Sequence, residues 1–331
     1  MARIVLGLAT AHSPLLTLEG QEWHHRAAAD RANPALNLSD GRFVTYDELL
    51  AEVGPRWEAV VTPEALGRKA QACEAALDRL ADELARAAPD VVVIVGDDQG
   101  ELYGAANQPA FAIFHGHEAV MLDKLKDPAT PAWVRTVRRG YLMDASHRLA
   151  VHDGLALELV QRLVDAGVDV STSAEVPDPA KAGLGHAFGF VVKRLFRGRE
   201  IPIVPVLLNT YFPPNVPTAA RCHDIGRLLA RAIAETPLDL KVAVVASGGL
   251  SHFVVDEALD REVMRAIRDK DAAALRAIPR CALNSGSSEI LNWVTTAAAV
   301  EHLPVRFAEY HPLQRTPAGT GVGAAFVAWA P

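Results

Sequence analysis

The stretch Val242-Ala243-Val244-Val245-Ala246-Ser247-Gly248-Gly249-Leu250-Ser251-His252-Phe253 decides how the chain is read. Its five small or β-branched apolar residues suit a strand buried on both faces and are too few for a typical helix. Ser247-Gly248-Gly249 then breaks the strand, because glycine takes backbone angles that other residues avoid. The break delivers Ser251 and His252 to the strand's carboxyl end, where open α/β sheets place their ligands. Taken alone, the stretch is equally well a glycine turn that precedes a histidine. The same arrangement recurs three times, however. Ile4 to Ala9 runs into Thr10-Ala11-His12-Ser13-Pro14, Val91 to Val95 into Gly96-Asp97-Asp98-Gln99, and Ile203 to Leu208 into Asn209-Thr210-Tyr211. Four apolar strands that each end in polar groups predict one site assembled along one edge of a sheet.

Helical periodicity fills the intervals. After Thr62 as N-cap and Pro63 in the first turn, Leu66, Ala70, Cys73, Leu77, Leu80 and Leu84 recur at helical spacing, and Pro89-Asp90 stops the run. A strand, a helix and a second strand in that order predict a right-handed crossover and parallel pairing. Further helices are expected over 153–166, 219–234, 256–269, 272–278 and 288–300, with closing strands over 303–310 and 323–329. The pattern over 190–196 suits a helix or a strand equally. The expected fold is α/β, a mostly parallel central sheet flanked by helices with antiparallel closing strands. With no linker, repeat or low-complexity tract, a single catalytic domain over 1–331 is expected, carrying polar insertions at about 17–60 and 122–147. The first reads as a lid or an oligomer contact, the second as a basic surface excursion.

Bulk properties narrow the function. The chain has 331 residues, 50% hydrophobic, and a formal net charge of -7, so a sizeable core is expected and nucleic acid is not the main partner. No apolar run approaches the ~20 residues that span a membrane. Three widely spaced cysteines, Cys73, Cys222 and Cys281, do not form a disulfide framework and suit a reducing compartment. A start that goes straight into a strand shows no signal-peptide pattern, so a soluble cytoplasmic protein is expected.

The polar groups at the strand ends are His12, Asp97-Asp98-Gln99 and His252, joined by His186 from a glycine-rich loop and Glu289 from the start of a helix. Two neutral donors and one carboxylate make up a facial triad for non-haem iron(II), which leaves positions open for substrate and oxygen. Additional histidines would act as acid and base. Each residue has a plainer reading: a carboxylate such as Glu289 in a first helical turn often only complements the helix dipole. The pairs His24-His25 and His115-x-His117 read as surface or turn residues.

Ala-His-Ser-Pro after the first strand, Gly-Gly-Leu-Ser-His after a late strand, and Ser288-Glu289-x3-Trp293 resemble the class III extradiol dioxygenases, relatives of the catalytic β subunit of protocatechuate 4,5-dioxygenase. Pro109-Ala110-Phe111-Ala112-Ile113 and Tyr310-His311-Pro312 extend the likeness. The resemblance implies iron(II), with manganese or zinc as lesser alternatives, held by His12 and Glu289. It implies His252 as the acid/base that takes a catechol proton and His186 as a group that polarises substrate. The partners would be a small hydroxylated aromatic and O2, and the assembly a homo-oligomer. One position departs from the family: Gln99 stands where a second ligand histidine is expected. A glutamine carbonyl ligates more weakly than imidazole and favours harder cations. Asp98 turned inward is the alternative ligand, and His24, His25, His115 or His117 could also supply the nitrogen. A metal-dependent hydrolase or lyase on the same scaffold, and a subunit that keeps the fold without the chemistry, are the competing functions.

Overall fold

The computed structural model describes residues 1–331. In chain order the elements open with β1 (Arg3–Thr10), α1 (His24–Arg31), β2 (Leu36–Asn37), β3 (Phe43–Val44) and α2 (Tyr46–Val53). The long helix α3 (Pro63–Ala87) leads to β4 (Val91–Asp97), β5 (Phe111–Phe114), β6 (Glu118–Val120), α4 (Ala132–Gly140) and β7 (Arg148–Ala150). Then come α5 (Asp153–Asp165), β8 (Ser171–Ser173), α6 (His186–Leu195), β9 (Ile203–Leu208), α7 (Ala219–Glu235), β10 (Lys241–Ser247) and β11 (His252–Val254). The chain closes with α8 (Glu257–Asp269), α9 (Ala272–Ala277), α10 (Ile290–Ala299), β12 (Val305–Gln314) and β13 (Thr320–Trp329).

Nine strands form one mixed sheet in the order β11-β13-β1-β10-β4-β9-β5-β8, with β12 on β13. Its centre, β1-β10-β4-β9, is wholly parallel. The closing strands are antiparallel, and β5 runs antiparallel to β9. The expected crossover from β1 through α3 to β4 is present, but β10 lies between the two strands.

Strand parity explains why these runs lack polar alternation. Val91, Val93 and Val95 face a core shared with α5, α7 and α10, whereas Val92 and Ile94 face the core beneath α3 and α6. Burying each such side chain stabilises the fold by about 1.5–3 kcal/mol. The α3 prediction holds to one residue, with the Thr62 hydroxyl accepting from Ala65 N. The undecided 190–196 segment is helical through Leu195, the last part of α6, with Phe196 as its C-cap.

One expectation needs correction: the 122–147 segment is not wholly a surface excursion, since Tyr141 and Met143 are core residues. Residues 17–60, expected to be a lid or an oligomer contact, are likewise anchored, with Trp23 fully buried and its indole donating to Leu15 O. In both cases isolated apolar residues anchor an otherwise polar run, so composition averaged over the run hides them. No helix is long and apolar enough to cross a membrane.

Candidate functional site

The carboxyl ends of β1, β10 and β4, neighbours in the sheet, converge on one cavity of about 360 Å³. Of the residues singled out from the sequence, His12, Gln99, His186, His252 and Glu289 all line it. Asp98 does not. Its carboxylate accepts the N–H groups of Glu101, Leu102 and Tyr103 and so caps its own loop. The neighbouring Asp97 is the acid that reaches the cluster, because it continues the parity of Val93 and Val95 toward α10. None of His24, His25, His115 and His117 lines the cavity; His25 stacks on Trp133 and His117 pairs with Asp153. The fourth strand end contributes only Tyr211, since Asn209 folds its side chain back onto Phe212.

Proton bookkeeping fixes the tautomer of His12. The Ser247 hydroxyl donates to Ala187 O at 2.7 Å, so at 3.0 Å from His12 Nδ1 it must accept from the ring. In the neutral ring this leaves a lone pair on Nε2. That atom is buried without a hydrogen-bond partner, although Glu289 Oε2 lies 3.4 Å away and Asp97 Oδ1 4.0 Å away. A lone pair facing two buried carboxylates repels them unless a cation or an extra proton occupies the space between.

The carboxylates carry the same message. Burial alone would raise the Glu289 pKa, but His12, His252 and the Gly249 N–H hold it below the ordinary value. Burial and the Glu289 charge together push the Asp97 pKa up. Two acids whose affinities for a proton are driven apart in one small volume are poised to share a proton or a metal. Ligand atoms of His12, Asp97 and His186 all lie within 4.8 Å of one another, which suits a metal ion.

His252 is held differently. Its Nδ1–H donates to Leu250 O at 2.9 Å, so in the neutral ring Nε2 faces the cavity as an acceptor, 3.9 Å from Glu289 Oε2. Burial lowers its pKa, which favours the neutral, base-competent form at pH 7. The glycines around it are a matter of space: a Cβ on Gly249 would sit 2.3 Å from His252 Cε1. Asn37 of β2 brackets the same segment, its Nδ2 donating to His252 O and its Oδ1 accepting from Phe253 N.

His186 opens α6, which approaches the sheet closely because Gly96 has no Cβ; one there would lie 2.9 Å from Ala187 Cβ. Burial would lower the His186 pKa, but Glu101, bonded to Nδ1 at 2.9 Å, with Asp97 and Glu289 raises it to about 9. Its ring meets that of His12 edge to face at 4.6 Å between centroids. Gln99 donates from Nε2 to Asp97 Oδ2 at 2.9 Å and reaches Glu289 Oε1 at 3.5 Å.

Sequence reasoning missed Glu101, Tyr141, Arg26 and Arg138 as cavity residues. Glu101 has a local signal, standing two residues beyond Gln99 in the loop that follows β4. The others lie on the two insertions, and their approach to the sheet edge has no signature in local spacing. The Tyr141 hydroxyl donates to His12 O at 2.6 Å, tying the second insertion to the first strand end.

Comparison with known proteins gives the family. The profile of a family described as the catalytic LigB subunit of aromatic ring-opening dioxygenase matches residues 59–300. Gallate dioxygenase of Pseudomonas putida is 37% identical over 109 residues, 32% of this chain and 30% of that protein. A 2,3-dihydroxyphenylpropionate/2,3-dihydroxicinnamic acid 1,2-dioxygenase of Mycolicibacterium paratuberculosis is 35% identical over 106 residues, 31% of each. Another of that description, from a Rhodococcus species, is 29% identical over 184 residues, 55% of this chain and 49% of that protein. The matches thus span about a third of the first two relatives and half of the third. With nearly three-quarters of its length matched by the family profile, the chain belongs to the LigB family of aromatic ring-opening dioxygenase catalytic subunits.

Proposed function

We propose that the protein is an iron(II)-dependent extradiol-type dioxygenase that opens the ring of a small catechol-like aromatic with O2. The observation that carries this reading is the His12 Nε2 lone pair, buried without a partner and directed at Glu289 and Asp97. Imidazole and carboxylate donors beside a cavity with room for substrate match the donor chemistry of non-haem iron sites. His12 and Glu289 would hold the metal, with Asp97 as the third donor, or Gln99 once its amide, whose Nε2 now faces Asp97, turns to present its carbonyl oxygen. Two acids make the set more anionic than a two-histidine site and leave manganese as a lesser alternative. When bound, the metal would supply the redox link between the ring and O2.

The chain's own groups do the rest. His252, neutral and with Nε2 facing the cavity, would accept a proton from a ring hydroxyl. His186, held as the imidazolium by Glu101, would stabilise negative charge that develops near it and return a proton. Trp133, Val134 and Val137 line the cavity with apolar surface and would limit water around the ring.

Metal content after anaerobic purification, with O2 uptake over a panel of catechols, gallates and aminophenols, tests the reading. Stoichiometric iron with catechol-dependent uptake is expected. Zinc or no metal, with no uptake, would overturn it and favour a metal-dependent hydrolase or lyase, or a subunit without chemistry. Gln99→His is expected to raise iron affinity; unchanged affinity would assign the third position to Asp97.

A further inference from the structure

Three cationic side chains other than histidine line the cavity: Lys124, Arg26 and Arg138. Lys124 is committed, donating to Glu101 at 2.9 Å. The two arginines are not. The Nε of each is buried without a hydrogen-bond partner, and neither forms an ion pair. Asp30, whose charge acts on Arg26, is itself taken by Arg315 through two bonds of 2.6 and 2.7 Å. Buried guanidinium N–H groups are costly to leave unpaired and are normally satisfied. Arg138 lies in the last turn of α4, where a cation complements the helix dipole, but Arg139 beside it is exposed and serves that purpose without entering the cavity.

The arginines are also placed deliberately. Arg26 and Asp30 stand one turn apart on α1, and Asp30 is clamped to the β12–β13 connection by Arg315 and Thr320. That buried clamp holds α1, and with it Arg26, over the cavity. Arg138 sits on α4, whose following residue Tyr141 is bonded to His12 O. Both arginines line the same cavity as Tyr141, and their charges act on its hydroxyl. The acids Glu289 and Glu101 line the same cavity but are engaged, Glu289 by the Gly249 N–H and Glu101 by His186 and Lys124. An anionic substituent would be repelled by those acids and attracted to the unpaired arginines, and guanidinium groups match a carboxylate with paired donors.

Resting on the dioxygenase reading, we propose that Arg26 and Arg138 form an anion-recognition pair that selects ring substrates bearing a carboxylate and turns that carboxylate toward α1 and α4. The ring hydroxyls are thereby directed to His252 and Glu289. Arg26, like His12, lies outside residues 59–300 matched by the family profile.

Calorimetric titration of the metal-loaded protein with benzoate, and with benzamide as its neutral counterpart, tests the pair without turnover. Benzoate is expected to bind more tightly than benzamide, and Arg26→Gln/Arg138→Gln to weaken benzoate on the order of tenfold to a hundredfold, the scale of lost charged hydrogen bonds. Arg26→Lys should retain part of the affinity, and thermal unfolding verifies that each variant folds. Equal benzoate affinity in wild type and the double variant, or benzamide binding as well as benzoate, would overturn the proposal. O2 uptake separates the two readings. Arginine-dependent benzoate binding without uptake on any catechol would sink the dioxygenase reading and leave the pair standing. Equal kcat/KM for carboxylated and plain catechols would overturn the pair and leave the dioxygenase.

Discussion

The floor of the cavity comes from the ends of β1, β4 and β10 with the starts of α6 and α10, and its groups are held in place: His252 on Leu250, His186 on Glu101, Glu289 on Gly249. The wall from α1 and α4 is different, with apolar side chains and two arginines that no residue of the chain satisfies. On the proposed reading, the floor would set which bonds can react, because its donors are held in place by buried backbone and side-chain partners. The wall carried on the insertions would set which molecules arrive there. Chemistry and selection would then reside in different parts of the fold, so that each could be disturbed separately.

The largest expected effect lies in the floor. His252→Ala should lower kcat by roughly 10²–10⁴, the usual contribution of a positioned acid/base, with metal content near wild type. Unchanged turnover would remove His252 from the mechanism, and lost metal would make it a ligand. The next effect joins wall to sheet. Arg315→Leu strands Asp30 in a site where both side chains are only 3% exposed. Breaking such a pair should cost about 3–5 kcal/mol of stability, read by denaturant unfolding. A loss well under 1 kcal/mol would mean that α1 is held by its apolar contacts instead.

The smallest effect lies behind the floor. Asp260 accepts from the backbone and hydroxyl of Ser251 and from Tyr310, yet burial pushes its pKa from 3.8 up to about 7. The native state then binds this proton more tightly than the unfolded chain. Its contribution to stability is full below about pH 4 and is lost as pH rises through 7. Asp260→Asn removes the titration, so thermal unfolding between pH 4 and 8 should show a shallower decline in the variant. Identical slopes would assign the decline to other groups.

Much of this was legible in the chain. Runs such as Val91–Val95 and Ile203–Leu208 can satisfy themselves only between two helical layers, so they specify buried parallel strands. His12, His252, His186, Gln99 and Glu289 were each marked by a strand end, a glycine-rich loop or a helix start, and all reach the cavity. The choice between Asp97 and Asp98 was not legible, because it depends on which face of β4 meets α10, and that is a property of the sheet's packing. The strand order was equally hidden: inserting β10 between β1 and β4 is what makes their three ends adjacent. So was the wall. Local sequence determined the strands, the helices and the reactive residue types through periodicity and backbone chemistry. Only the tertiary structure decided which of them meet, because Arg26, Arg138 and Glu289 come together across contacts far apart in the chain and carry no signal at short range.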